Sequence, residues 1–526
     1  MKLRNVGRAL ACAGLQSRCF GWRTKVRRLK PAPHNTARAV LAGLLLTAVA
    51  ATAQMRVVAL PSKSPLVTLR IVFTAGSAAD PPEQPGAAYL TALMLARGGT
   101  KDLTYRQVVE AMFPMSSSLN AQVDKEMVTF SGATHTDNLE AYYKLLRAML
   151  LDPGWRPEDF QRVKDDAINS LRVNLRANND EELGKEFLEQ NLYQHSPYEH
   201  YSAGTVSSLQ KLTLENVQRF YRTHYSQANL ILGIAGGYTP AFLERLKKDF
   251  RSLPEGGGFR PRENTLEPIR RNRAVIVDKD TRSVAFSLGF PTLAIRSNPD
   301  YPALLVAISY LGQHRSGNGR LFDRMREKRG LNYGDYAYIE YFPRGMFLFE
   351  PSPNLARHFQ TFQIWIRPVE PPTAKFALRL ALYELDKLCR DGISEDSFEH
   401  TREFLTKYVN ILTSTKTAEL GYAIDSLYYG IPNYNQFLKT RLAKLTRDDV
   451  NRAIKRYLRP DRLVIVAVAK NGEDLKKLLT SEAPSPMAYN SPKPAEIVEE
   501  DKVVERFPLH LAAEDVTVVP VDQVFE

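Results

Sequence analysis

Cysteine is nearly missing from this sequence, with three in 526 residues, at positions 12, 19 and 389. Such a chain has no disulfide framework, and Cys389 alone closes no intramolecular bridge. Acidic residues are missing altogether from residues 1–53, which carry ten basic ones (Lys2, Arg4, Arg8, Arg18, Arg23, Lys25, Arg27, Arg28, Lys30 and Arg38). There is no Gly-x-Ser-x-Gly elbow for a serine nucleophile. There is no phosphate loop either, since no Lys-Ser/Thr follows Gly256-Gly257-Gly258. No apolar run reaches the roughly 20 residues that span a bilayer. The nine histidines supply no helical pair with a carboxylate between them, which a hydrolytic zinc site needs. His195 and His200, the nearest pair, flank a proline and read as surface-loop residues.

What is present begins with charge. Lys and Arg number 71 against 58 Asp and Glu, a net +13; residues 1–53 account for +10, so the other 473 residues carry +3. Without the leader, a nucleic-acid partner loses its main support. The basic leader runs into an apolar stretch, 39–53, closed by Ala51-Thr52-Ala53. This is the pattern of a secretory signal peptide cleaved between Ala53 and Gln54, and it predicts a secreted or periplasmic protein with no stable membrane anchor. An acid-free, Arg-rich leader also resembles a mitochondrial transit peptide, which is the alternative. The composition, 44% hydrophobic and 25% charged, excludes a mostly disordered chain and a multi-pass membrane protein.

The remainder repeats with a period near 235 residues. Leu212-Thr213-Leu214-Glu215-Asn216-Val217 is echoed by Leu445-Thr446-Arg447-Asp448-Asp449-Val450, and each is followed by an apolar strand-like run, at 230–235 and 463–468. Val67 to Phe73 and Val284 to Phe290 alternate at period two, as strands do. Residues 157–175 place Phe160, Val163, Ala167, Leu171 and Leu175 at helical spacing behind a Pro-Glu-Asp start. The expected fold is α+β, two homologous domains, each a mostly antiparallel sheet with helices on one face. Their expected limits are 54–253 and 273–480, joined by a Gly/Pro linker, 254–272. The tail, 481–526, has nine acids and three bases from Pro484 onward and several prolines. It reads as an extended arm without helical periodicity.

The segment 76–100, Gly-Ser-Ala-Ala-Asp-Pro-Pro-Glu-Gln-Pro-Gly-Ala-Ala-Tyr-Leu-Thr-Ala-Leu-Met-Leu-Ala-Arg-Gly-Gly-Thr, resembles the opening of the insulinase/pitrilysin family of zinc peptidases, in the processing-peptidase-like branch. The resemblance covers about residues 55 to 480, with Asn120-Ala121 before the strand at 127–130 and the segment 319–333 as its other specific parts. It implies two homologous domains forming a clam-like half-chamber. The family's inverted zinc motif, His-x-x-Glu-His, is absent here. Tyr89 stands for the first His, Ala92 for the general-base Glu, Leu93 for the second His, and Ser170 for the later Glu ligand. This chain is therefore expected to hold no metal and to have no catalytic residue of its own.

Gly319 to Tyr333 resembles the family's Arg/Tyr segment, which implies Arg326 and Tyr333 as substrate-binding residues, both able to donate to a peptide carbonyl. The alternative reading of the segment is a solvated basic helix face, Arg320, Arg324, Arg326, Lys328 and Arg329, with Tyr333 starting a strand. The resemblance implies a non-catalytic subunit of a heterodimeric zinc metallopeptidase. Zinc would reside in a homologous partner subunit, and the substrate would be a peptide or unfolded protein. The rival expectation is a non-proteolytic scaffold or assembly protein of the same fold.

Overall fold

The computed structural model describes residues 55–261, 266–314, 317–345, 348 and 351–526, so the leader and its expected cleavage point lie outside the described residues. The first sheet contains β1 (Arg56–Pro61), β2 (Leu66–Phe73), β3 (Asn120–Val123), β4 (Val128–His135) and β5 (Leu230–Gly236), in the order β1-β5-β2-β4-β3. The second contains β6 (Arg273–Asp278), β7 (Val284–Thr292), β8 (Asp335–Tyr338), β9 (Gln360–Val369), β10 (Val464–Ala469) and β11 (Val516–Pro520), in the order β11-β6-β10-β7-β9-β8. Without β11 the two orders match strand for strand. In each, the first strand lies parallel to the last of the five and the other neighbours are antiparallel. The sequence repeat is thus a repeat of topology, an α+β fold built twice.

The alternating runs are β2 and β7, and the apolar return runs are β5 and β10. All four are buried almost throughout, including the polar positions Thr68, Arg70 and Ser287. The reason is an exchange of helices between the halves. Helix Asp180–Leu192, from the first half, packs on β7, β9 and β10 of the second sheet. Gly184 lets it approach closely, since a Cβ there would lie 3.2 Å from Ser287 Oγ. Helix Lys416–Tyr429, from the second half, packs on β1, β2 and β5, where Thr68 and Thr417 hydroxyls meet at 3.1 Å. Each half's remaining helices cover the opposite face of its own sheet, around one of two large apolar cores.

The tail differs from the expected extended arm. It contains the helix Ala495–Val504, then β11 pairing in parallel with β6, and it finally reaches the first half. There the backbone N–H groups of Val206 and Ser207 donate to the carbonyls of Phe525 and Glu526 at 2.9 and 2.7 Å. Arg176 donates to the Asp522 carbonyl at 2.7 Å and pairs with the Glu526 carboxylate at 2.8 Å. The helix escapes an apolar-periodicity reading because its buried stripe, Ile497, Asp501 and Val504, has a carboxylate in the middle.

Candidate functional site

Tyr89, Ala92 and Leu93 lie on the helix Ala87–Arg97. Its start is fixed by the Asp-Pro of the opening motif: the Asp80 carboxylate accepts from the N–H groups of Gly86 (2.8 Å) and Ala88 (2.7 Å), and Gly86 takes φ +94°. Ala92 and Leu93 are 0% and 6% exposed in the first core. Tyr89 packs against that core, and burial pushes its phenol up, against the pull of Arg97 and Arg344. Ser170 begins the stretch Ser170–Ala177, where the preceding helix Pro157–Asn169 widens to i→i+5 bonding, as in Asn178 N–H to the Val173 carbonyl at 3.1 Å. Its hydroxyl accepts from Asn174 Nδ2 at 3.3 Å.

A phenol, two hydrocarbon side chains and an alcohol do not fit zinc, which takes imidazole, thiolate or carboxylate donors. Among the described residues no group of three or more His, Cys, Asp or Glu is placed to hold a metal. His195 and His200 do not converge. His200 Nε2 lies 3.0 Å from Asp80 Oδ2, a partly buried pair rather than a free surface residue, whereas the His195 N–H donates to the Glu199 carboxylate at 2.9 Å. Cys389 is partly buried, and burial pushes its thiol up to about 12, away from nucleophilic reactivity.

The Arg/Tyr segment is also wound with i→i+5 bonds, over Phe322–Glu327, where Lys328 N–H donates to the Asp323 carbonyl at 2.9 Å. The solvated basic face of the alternative reading is broken up: Arg326 and Lys328 are exposed, but the other three basic residues are paired with acids. Arg320 pairs with Glu384 at 3.1 Å, and Arg324 pairs with Glu384 at 3.4 Å and also with Glu500. Arg329, its side chain wholly buried, reaches Glu500 at 2.7 Å and Asp501 at 2.8 Å. Two of these three acids come from the tail helix, so the acidic tail neutralises the basic segment. Arg326 differs: its guanidinium lies 4.7 Å above the Phe322 ring, its nearest acid is the adjacent Glu327 at 3.8 Å, and its side chain is 42% exposed.

Tyr333 is 76% exposed and precedes β8, which begins at Asp335, so it sits in a turn rather than opening a strand. Asn332 shapes that turn, accepting from Gly334 N–H (3.0 Å) and donating to Asp335 Oδ1 (2.8 Å) and the Arg367 carbonyl (2.9 Å). Gly334 takes φ +144°. Burial pushes the Asp335 carboxyl up to about 8. Among the described residues no hydrogen bond joins Arg326 to Tyr333, or either of them to Tyr89 or Ser170.

A third cluster lies between the halves and was not foreseen. Arg357, wholly buried, pairs with Asp124 at 2.5 Å and Glu189 at 2.7 Å. Glu126 accepts from the Tyr198 and Tyr428 phenols, from His358 N–H (2.9 Å) and from His358 Nδ1 (2.5 Å). The hydrogen bond to Glu126 raises the His358 pKa, and burial raises that of Glu186, whose carboxylate accepts from the Tyr341 phenol. In the sequence, Asp124-Lys125-Glu126 looks like a solvated hairpin turn. The one available signal was the spacing of Glu182, Glu186 and Glu189 at i, i+4 and i+7 along one helix stripe.

The chain is thus a duplicated α+β fold bearing a peptidase-type helix stripped of metal ligands. Residues 56–206 match the family described as insulinase (peptidase family M16), and residues 211–405 match the peptidase M16 inactive domain. The chain belongs to this family. It is 22% identical over 414 residues, 78% of its length and 90% of the relative's, to a Helicobacter pylori protein named non-peptidase homolog YmxG. It is also 22% identical over 255 residues, 48% of its length and 47% of the relative's, to an Arabidopsis thaliana protein named probable mitochondrial-processing peptidase subunit beta. The crystal structure of a peptidase M16 inactive domain from Pseudomonas fluorescens shares the fold at TM-score 0.68 and 21% identity, covering 80% of this chain and 96% of that one. Among the described residues no helix is long and apolar enough to cross a membrane.

Proposed function

We propose that this protein is the non-catalytic subunit of a heterodimeric zinc metallopeptidase, exported to the periplasm or cell exterior, with the mitochondrion as the alternative address. A homologous partner holds the zinc, and Arg326 and Tyr333 of this chain bind the peptide backbone of the substrate. The observation that carries this reading is selective exposure: Arg320, Arg324 and Arg329 are consumed by acids, while Arg326 and Tyr333 keep donors directed to no acid beyond Glu327. A guanidinium and a phenol are suited to a carbonyl oxygen that gains negative charge during attack. Among the described residues β3 is an edge strand with a single partner, and its Asn120 and Ala121 share a cleft with the exposed Val109 and Phe113, so a peptide could also lie along it.

The test is reconstitution. Purified with a zinc-bearing relative, the pair should cleave an unstructured peptide that neither chain cleaves alone. The scaffold reading is favoured by the match to an inactive domain and by a relative named a non-peptidase homolog. It predicts a stable complex with no hydrolysis.

A further inference from the structure

A cleft of about 810 Å³ opens where the start of β1, the β3–β4 turn and the residues before β9 meet. That volume suits a small organic ligand at a junction between domains, and the peptidase reading makes no use of it. Two guanidinium groups and an imidazole line it: Arg56, Arg260 and His358. Its one carboxylate, Glu126, is 1% exposed and already accepts from two phenols, a backbone N–H and His358 Nδ1. A latch between the halves accounts for Glu126, Tyr198, Tyr428 and the Nδ1 side of His358.

It does not account for the arginines. Among the described residues, Arg56 has the Thr74 hydroxyl at 3.4 Å and the Tyr428 phenol as an electrostatic neighbour but no paired acid, and Arg260 has no acid or hydrogen-bond partner. Burial of Arg56 without a counter-ion lowers its pKa, so the fold bears a desolvation cost there that an anion would relieve. Phe259 and Phe359 add an apolar wall.

We propose that this cleft binds a small organic carboxylate, its apolar body against Phe259 and Phe359 and its oxygens received by Arg56, Arg260 and His358 Nε2. The assignment is independent of the peptidase reading. Calorimetric titration of the purified protein with benzoate tests it, with inorganic phosphate and benzylamine as comparison probes. Saturable benzoate binding is expected, weakened about ten- to hundredfold by Arg56→Gln and by Arg260→Gln, with phosphate weaker and benzylamine silent. Arg260 is exposed between the two halves, so its substitution spares the fold. No saturable benzoate binding, equal affinity in wild type and both variants, or phosphate or benzylamine binding as tightly as benzoate would each overturn the proposal.

Discussion

At the scale of single residues, the contrast along Arg320 to Arg329 comes from neighbours rather than from residue type. Glu384, Glu500 and Asp501 hold three guanidinium groups in ion pairs, and the fourth, Arg326, rests on an aromatic ring facing solvent. Asp335, which supports the turn carrying Tyr333, is buried with one carboxyl oxygen unpartnered. Its folded pKa, about 8, lies above the unfolded value near 4. The native state therefore holds a proton that the unfolded chain releases, and stability falls as pH rises from about 4 to about 8. Asp335→Asn should flatten that slope and leave the variant more stable than wild type at pH 8, by on the order of 1 kcal/mol or more, with little difference at pH 4. Denaturant unfolding at a series of pH values checks this; parallel curves would refute it.

At the scale of elements, the tail helix Ala495–Val504 does what its composition disguises. Glu500→Gln combined with Asp501→Asn leaves the buried Arg329 without a counter-charge, and should cost about 3–5 kcal/mol of stability. The midpoint of urea unfolding reads this out. Strands such as β2, β5, β7 and β10 were legible because burial makes them apolar and β-branched. The repeat was legible because Thr213 and Thr446 cap cognate helices with the same capping box. The exposure of Arg326 fits a charge run read as a solvated face, but the partners of Arg320, Arg324 and Arg329 could not be read from sequence. Those acids lie between 60 and 176 residues along the chain from the arginines they pair with, and local charge patterning carries no information about them. The left-handed turn residue Gly86 and the Asp80 cap likewise sit inside a motif whose structural role only the fold exposes.

At the scale of the whole molecule, two homologous halves are locked by exchanged helices and by a buried charge network. Arg357 is the centre of that network, and Arg357→Ala would remove the ion-pair partner of the buried Asp124 and Glu189 and leave Lys125 as the cation near them. A loss of about 3–5 kcal/mol is expected, measured by denaturant unfolding. The His358–Glu126 pair adds a pH window. His358 is raised and Glu126 lowered, so the pair stabilises between the acid range, where Glu126 takes up a proton, and the pH at which His358 loses its own. His358→Gln should therefore be most costly near pH 5–6 and nearly neutral well above the raised imidazole pKa, as thermal unfolding across pH would show.

On the proposed reading, a chain without zinc ligands supplies substrate-binding donors to a partner that has them. Peptide hydrolysis by the reconstituted pair, wild type against Arg326→Ala, tests it most directly. The account predicts kcat/KM lower by about ten- to hundredfold with the complex and its zinc content intact. Unchanged hydrolysis would contradict it.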